Sequence, residues 1–289
     1  MDDPQPAGSL TLATFNIHMG VDGWGRPHDI VGQCRALGAD VYVLQESWAP
    51  DDGSPSTAAR IAEGIGHEVV AEVALSHGRL YSAHPEADRR WGPPLYQSRG
   101  PLHLDGERWA SSREPAHRAF ERGRWGIAVL SGVPVGGVEV IPLGQLRRDP
   151  ARREVIRAVA QLDGGPLAIH GTHMSHITHG SHAQYRLLGT TLPPVTAAAV
   201  LAGDMNLWGP PVSSYVRGWR RSITGRTWPA ARPHSQLDHV MVTPPVRVTA
   251  ARIGEYAGSD HRPVVATLSL PPVRPGPGTS HRTRGHPER

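Results

Sequence analysis

Lysine is absent from this chain of 289 residues: all 30 basic residues are arginine. Neither Schiff-base lysine chemistry nor a P-loop lysine is open to it. Cysteine occurs once, as Cys34, which excludes an internal disulfide framework and any multi-cysteine metal site. No apolar run approaches the ~20 residues of a membrane helix. The start, Met1-Asp2-Asp3-Pro4, is acidic and polar, without the basic and apolar pattern of a signal peptide. Wholesale disorder is excluded too, because a hydrophobic fraction of 38%, before 33 glycines are added, reaches the ordinary globular range. These absences leave a cytoplasmic enzyme or binding module, built as one large domain or two small ones.

The formal charge is +4, but residues 271–289 alone hold four arginines against one glutamate. The remainder is close to neutral and lacks the broad basic footprint of a dedicated nucleic-acid binder. Two local clusters, Arg147, Arg148, Arg152, Arg153 and Arg157, then Arg217, Arg220, Arg221 and Arg226, read first as solvated surface.

Residues 1–8 read as a flexible leader, 9–270 as the folded domain, and 271–289 as a disordered tail rich in Pro, Gly and Arg. Strand-like runs recur at Leu10–Phe15, Val41–Leu44, Ile127–Leu130, Val138–Ile141, Val155–Leu162, Leu167–His170, Val200–Ala202, Val240–Val242 and Val264–Leu268. Ile30, Val31, Cys34 and Leu37 share one face of a short helix opened by Pro27, which makes Cys34 a packing residue. Further helices are expected at Ser56–Gly64 and across His182–Leu192. Many strands with interspersed helices predict a layered α/β or α+β fold. The segment 82–124 shows little periodicity, many charges and eight arginines. It is expected to be a loop insertion, either a lid over a substrate or a solvated excursion.

Acid, amide and histidine positions sit at the ends of these runs, where side chains can project into a shared cleft. They are Thr14-Phe15-Asn16, Leu44-Gln45-Glu46, Gly171-Thr172-His173, Gly203-Asp204-Met205-Asn206, Leu237-Asp238-His239 and Ser259-Asp260-His261. Singly, an Asp at a strand end is a turn cap. Together, carboxylates and amides suit a hard divalent ion, and histidines without cysteines suit proton transfer rather than a zinc cage.

With these landmarks and Ala128-Val129-Leu130-Ser131, in this order from about Leu10 to Leu270, the chain resembles the endonuclease/exonuclease/phosphatase family. The resemblance implies a deoxyribonuclease-like four-layer sandwich, two packed β-sheets flanked by helices. It implies a phosphoester hydrolase dependent on Mg²⁺ or Mn²⁺, with Glu46 holding the ion and Asn16 and Asp260 beside it. Asp204 and Asn206 would hold the attacking water and a phosphate oxygen, or a second metal. His261 would be the general base or a phosphate contact, kept in its tautomer by Asp238, and His173 would touch phosphate and protonate the leaving oxygen. The sequence departs from the family where Gly132 follows Ser131 and where His239 follows Asp238.

The resemblance favours a phosphodiester, and the absence of lysine disfavours the inositol-phosphate branch. Nucleic acid, a phospholipid headgroup and a small phosphodiester all stay open, as do a phosphomonoesterase and a non-catalytic binding module on the same fold. Trp48 and Trp208 lie two residues beyond Glu46 and Asn206 and either contact substrate or pack the cleft floor. Trp219, among arginines, reads as an exposed basic segment or a structural residue, and Trp228 as structural. His170, His176, His179 and His182 keep a three-residue interval around His173 and are expected on a solvated loop, or lining the cleft mouth.

Overall fold

A computed structural model describes residues 8–81, 95–99, 108–109 and 119–272. The first strand, β1 (Ser9–Asn16), explains the architecture. It pairs in parallel with β2 (Val41–Pro50) and antiparallel with β14 (Val264–Ser269). Its side chains are buried on both faces, as expected of a strand inside a covered sheet. Leu10 and Leu12 point into one cluster with Val41, Val43, Ile127 and Val129, while Ala13 and Phe15 point into another with Tyr42, Leu44, Ala128 and Leu130.

The full sheet runs β13-β14-β1-β2-β6-β3-β4-β5, where β3 is Glu68–Tyr81, β4 Leu95–Arg99, β5 Arg108–Trp109, β6 Phe120–Ser131 and β13 Arg247–Ile253. A six-stranded sheet runs β11-β12-β10-β9-β8-β7. Its members are β7 (Val135–Gln145), β8 (Arg152–Leu162), β9 (Gly165–His173), β10 (Ala199–Asp204), β11 (Arg220–Arg221) and β12 (Asp238–Val242). The first cluster fills the space between the sheets, where Ile156, Ile169, Val200 and Val240 meet the residues from β1 and β2.

Helices close the outer faces. Helices α1 (Ile30–Leu37) and α2 (Thr57–Ile65) cover the larger sheet through Ile30, Cys34, Ala58 and Ile61. Helices α3 (His182–Thr191) and α4 (Gly209–Tyr215) cover the smaller one through Tyr185, Leu188 and Val212. This is the expected sandwich of two sheets between helical layers. Asp29 caps α1 by accepting from the Gly32 amide, and Gly38 ends it in the left-handed region at φ 62°. Ser56 caps α2 in the same way. Cys34 is fully buried, and that burial pushes its thiol up to about 12, so it is inert packing. Among the described residues, no helix is long and apolar enough to cross a membrane.

The structure corrects the reading of 82–124 as one structureless loop. Its described parts are strand: 95–99, 108–109 and the first residues of β6. The arm of β6 from Phe120 to Arg124 pairs with the far end of β3, Tyr81 opposite Phe120. Its charges face solvent, so pairing rather than an apolar face defines it. Residues 82–94, 100–107 and 110–118 lie outside the described residues, as do 1–7 and 273–289, and with them the expected lid, leader and tail. Strand β3 escaped the sequence pattern because it is half-buried along most of its length, without clean alternation.

Candidate active site

Three strands of the smaller sheet place one row of functional side chains in register. Asp204 closes β10, with His173 opposite it on β9 and Asp238 opposite it on β12. The larger sheet supplies the facing row. Asn16 ends β1, opposite Gln45, and Glu46 is the bulged residue that interrupts the β2–β6 register between Gln45 and Ser47. Because β14 runs antiparallel to β1, with Val264 opposite Thr14, the residues just before it, Ser259, Asp260 and His261, return to the same edge. The Ser259 hydroxyl fixes that return by donating to the Asn16 carbonyl at 2.7 Å.

Asp204 is the hub. Its Oδ2 accepts from the Asn16 amide at 3.2 Å, and lies 3.5 Å from His173 Nε2 and 3.7 Å from His261 Nε2. Its Oδ1 accepts from the Asn206 backbone amide at 2.8 Å. His261 Nδ1 donates to Asp238 Oδ2 at 2.8 Å, which directs Nε2 into the cleft. Asn206 Nδ2 donates to His173 Nε2 at 3.1 Å and to the Met174 carbonyl at 3.0 Å. The structure thus brings Asn16, Glu46, His173, Asp204, Asn206, Asp238, Asp260 and His261 to one edge, linked across both sheets.

Two backbone positions are strained to achieve this. Glu46 at φ 58° and Asn206 at φ 48° both sit in the left-handed region. An L residue there costs about 1–2 kcal/mol, least for Asn. At Glu46 the bulge turns the carboxylate towards Asn16, whose amide donates to it at 3.1 Å. Asn16 itself is anchored, since its Oδ1 accepts from the His18 backbone amide at 3.1 Å. Asn16 therefore presents its NH₂ group to the two carboxylates.

The donor chemistry fits a hard divalent cation. Asp260 Oδ2 accepts from the Trp228 indole at 3.3 Å, but its Oδ1 is buried with no partner, as is Asp238 Oδ1. Orphaned carboxylate oxygens are what an oxygen-seeking ion would satisfy. Ligand atoms of Asp204, Asp238 and His261 also lie within 4.8 Å of one another. There, however, Asp238 Oδ2 and His261 Nδ1 are already paired in their hydrogen bond.

Electrostatics separate the two imidazoles. Burial depresses His173, with Arg153 and His261 adding to the effect, and holds it well below the usual range. Burial would also depress His261, but the Asp238, Asp204 and Asp260 carboxylates outweigh it and hold this ring well above that range. Burial raises the Asp204 carboxyl, partly offset by His261. A divalent cation among the carboxylates would weaken the pull on His261 and favour its neutral form.

Sequence reasoning missed the support behind His173. Arg153 makes two bonds to the buried Asp149, at 2.8 and 3.2 Å, and donates to the His173 carbonyl at 3.2 Å. Ser175 also donates to Asp149. The Arg153 guanidinium lies 5.5 Å from the Trp125 ring, which in turn lies 5.5 Å from the His173 ring. Arg153 was read as solvated surface, and it is 5% exposed. No sequence signal distinguishes it from its neighbour Arg152.

The remaining expectations divide. Trp48 is 2% exposed and packs in the inter-sheet cluster, with its indole donating to Glu121, so it offers no face to a ligand. Trp208 is half exposed and lines a groove beside Asn206. Trp219 is buried under the smaller sheet rather than exposed, and Trp228 orients Asp260. His170 is buried on β9, bonded to the Val200 carbonyl, instead of lying on a loop. His176 is exposed, and His182 begins α3, where it bonds Tyr215. The histidine series does not converge on one ion. His239, the departure after Asp238, is buried against the Leu207 carbonyl.

A layered fold with acids, amides and paired imidazoles at one edge assembles the groups that metal-assisted hydrolysis uses. The endonuclease/exonuclease/phosphatase family model matches residues 13–261, and the chain belongs to that family. Among solved structures it is similar to an endonuclease/exonuclease/phosphatase from Beutenbergia cavernae, at 22% identity and a TM-score of 0.60 over 91% of this chain and 72% of that one. The human Nocturnin catalytic domain with bound sulfate is similar at 15% identity and a TM-score of 0.59, over 92% of this chain and 96% of that one. Zebrafish (D. rerio) TDP2 complexed with a single-strand DNA product gives 14% identity and a TM-score of 0.52, over 91% and 99% of the two chains. At these identities the likeness shows the shared fold. Comparison of the sequence with curated proteins gives no match.

Proposed function

We propose that the protein is a divalent-metal-dependent phosphodiesterase that hydrolyses its substrate by direct attack of water. The observation that carries this reading is the Asp204 carboxylate, shared among Asn16, His173 and His261 while Asp238 fixes the far side of His261. A binding module would not need two imidazoles and two buried acids meeting in this geometry.

Glu46 and Asp260 would hold the ion, with Asn16 and Trp228 bonded to their carboxylates. When bound, Mg²⁺ or Mn²⁺ supplies charge neutralisation at the phosphoryl oxygens. Asp204 and the Asn206 amide orient the attacking water. His261 takes the water proton at Nε2, and Asp238 stabilises the imidazolium that forms. The water oxygen bonds to phosphorus as the ester bond to the leaving oxygen breaks; that oxygen takes a proton from solvent, while His173, kept neutral with Nε2 accepting from Asn206, contacts the phosphoryl group. Catalysis of this kind is mostly positioning and electrostatics.

The test is hydrolysis of bis-p-nitrophenyl phosphate by the full chain with Mg²⁺ or Mn²⁺. The expected result is release of p-nitrophenol that EDTA abolishes. Silence with both metals, on this ester and on a panel of nucleic acid, sphingomyelin and sugar phosphates, would favour the non-catalytic binding module.

A further inference from the structure

Two histidines that the proposed chemistry does not use meet on the turn after β9. Residues Ile177–His179 form a single 3₁₀ turn, with His176 as its extended cap at φ −60° and ψ 142°. The turn closes through the His179 backbone amide, which donates to the His176 carbonyl at 2.9 Å. In 3₁₀ geometry, side chains three residues apart lie one above the other. The His176 and His179 rings accordingly stand edge to face, with centroids 6.1 Å apart.

That separation fits a shared ion. A metal–imidazole bond of about 2.0–2.1 Å places each ring centroid roughly 3.2 Å from the ion. Two rings on one ion, at angles from tetrahedral to linear, therefore have centroids roughly 5–6.5 Å apart. His176 is exposed, and in the tautomer that donates from Nδ1 to Thr178 Oγ1 at 2.7 Å its Nε2 keeps a free lone pair. His179 Nδ1 is sheltered from solvent and has no hydrogen-bond partner. Burial, with Arg153 and His176, holds this imidazole below the usual range against the pull of Asp149, so it is neutral and able to ligate at neutral pH. The other members of the series are engaged, His170 with Val200, His173 with Asn206 and His182 with Tyr215.

We infer that His176 and His179 together bind one divalent transition ion of the Zn²⁺, Ni²⁺ or Cu²⁺ class. The inference goes beyond the phosphodiesterase reading and does not depend on it. Imidazole nitrogen suits these ions, whereas Mg²⁺ and Mn²⁺ prefer carboxylate oxygen and water. Among the described residues, no acid, cysteine or third histidine completes a three-ligand cluster with the pair. Water fills the remaining positions, so the site is open and exchangeable, unlike a closed structural zinc centre. Its occupancy then follows the free metal concentration, and folding does not require it.

Zn²⁺ binding is measured by isothermal titration of the tag-free full chain in excess Mg²⁺. The parent chain should bind one equivalent of Zn²⁺ more than a His176→Asn/His179→Asn double variant. Each single variant should weaken that equivalent by about tenfold or more, since losing even a supporting contact to a ligand costs that much. Asn at position 176 can still cap the turn by accepting from the Thr178 amide, so the urea midpoint should stay unchanged. Cu²⁺ gives a second readout: electron paramagnetic resonance should show two equatorial imidazole nitrogens in the parent chain and one in each single variant. If the double variant unfolds more easily, the copper spectra of the single variants decide. Equal stoichiometry and Kd in the parent and double variant overturn the assignment and move the ion to the Asp204, Asp238 and His261 cluster or elsewhere. A single variant without effect overturns it too, because one imidazole would then suffice. Hydrolysis of bis-p-nitrophenyl phosphate with Mg²⁺ should be the same in the parent and double variant, so failure of either reading leaves the other standing.

Discussion

Arg153 donates to the backbone carbonyl of His173 at 3.2 Å from a guanidinium clamped on Asp149 beneath the site. Both members of that ion pair are buried, and breaking such a pair leaves an uncompensated charge. Asp149→Ala should therefore destabilise the fold by about 3–5 kcal/mol. A double Asp149→Leu/Arg153→Met variant should recover most of that loss, as measured by urea unfolding. A double variant no more stable than Asp149→Ala would show that the pair's hydrogen bonds to Ser175 and His173, not its charge balance, hold the region.

The Asp238–His261 pair is expected to act as a unit. His261→Ala and Asp238→Asn should each lower kcat by about 10²–10⁴-fold. Combining them should cost little more than the larger single effect. Near-wild-type turnover by His261→Ala at saturating Mg²⁺ would remove its role as base.

Metal dependence should follow the carboxylate geometry. Glu46→Gln keeps an acceptor for the Asn16 amide but deletes charge, so it should raise the Mg²⁺ concentration for half-maximal activity without unfolding the bulge. Asn16→Ala, which releases both Glu46 and Asp204, should weaken metal affinity by about 10–100-fold, the usual scale for a group that orients a ligand. A metal titration unchanged in both variants would place the ion elsewhere.

Stability should fall with acid for a reason separate from catalysis. Burial lowers His170 and His239 to about 4 each, against an ordinary 6.5. Their neutral forms are favoured in the fold, so the stability they carry is complete above pH 6.5 and is lost as pH falls from there towards 4. Each contributes on the order of 3 kcal/mol across that interval. His170→Gln should flatten the pH dependence of the urea midpoint, and an unaltered profile would locate the acid sensitivity in other groups.

Much of this was legible in the chain itself. Strands inside covered sheets read as continuous apolar runs, so β1, β2, β10 and β14 announced themselves, and the acids at their ends followed. The start of α2 was marked by Ser56, whereas α1 opens at the Asp29 cap rather than at Pro27, where the sequence placed it. Strand β3 was hidden by irregular burial, and β4 and β5 by short length among charges. Burial of arginine was also invisible: nothing in Arg152-Arg153 says which guanidinium turns inward, because Asp149 becomes a partner only after the turn between β7 and β8 forms. Trp48 and Trp208 had the same offset from a site residue, yet strand pairing buried the first and a helix entry left the second in solvent.

Asn16, Glu46, Asp260 and His261 ride on the larger sheet, whereas His173, Asp204, Asn206 and Asp238 ride on the smaller. Reactivity is thus distributed over a seam between two slabs, stitched by the Asn16–Asp204 and Asp238–His261 hydrogen bonds. Such an arrangement makes the alignment of reacting groups hostage to how Leu12, Val43, Ile169 and Val200 mesh far below the surface. A slip of the slabs too small to unfold the protein would still put its chemistry out of tune.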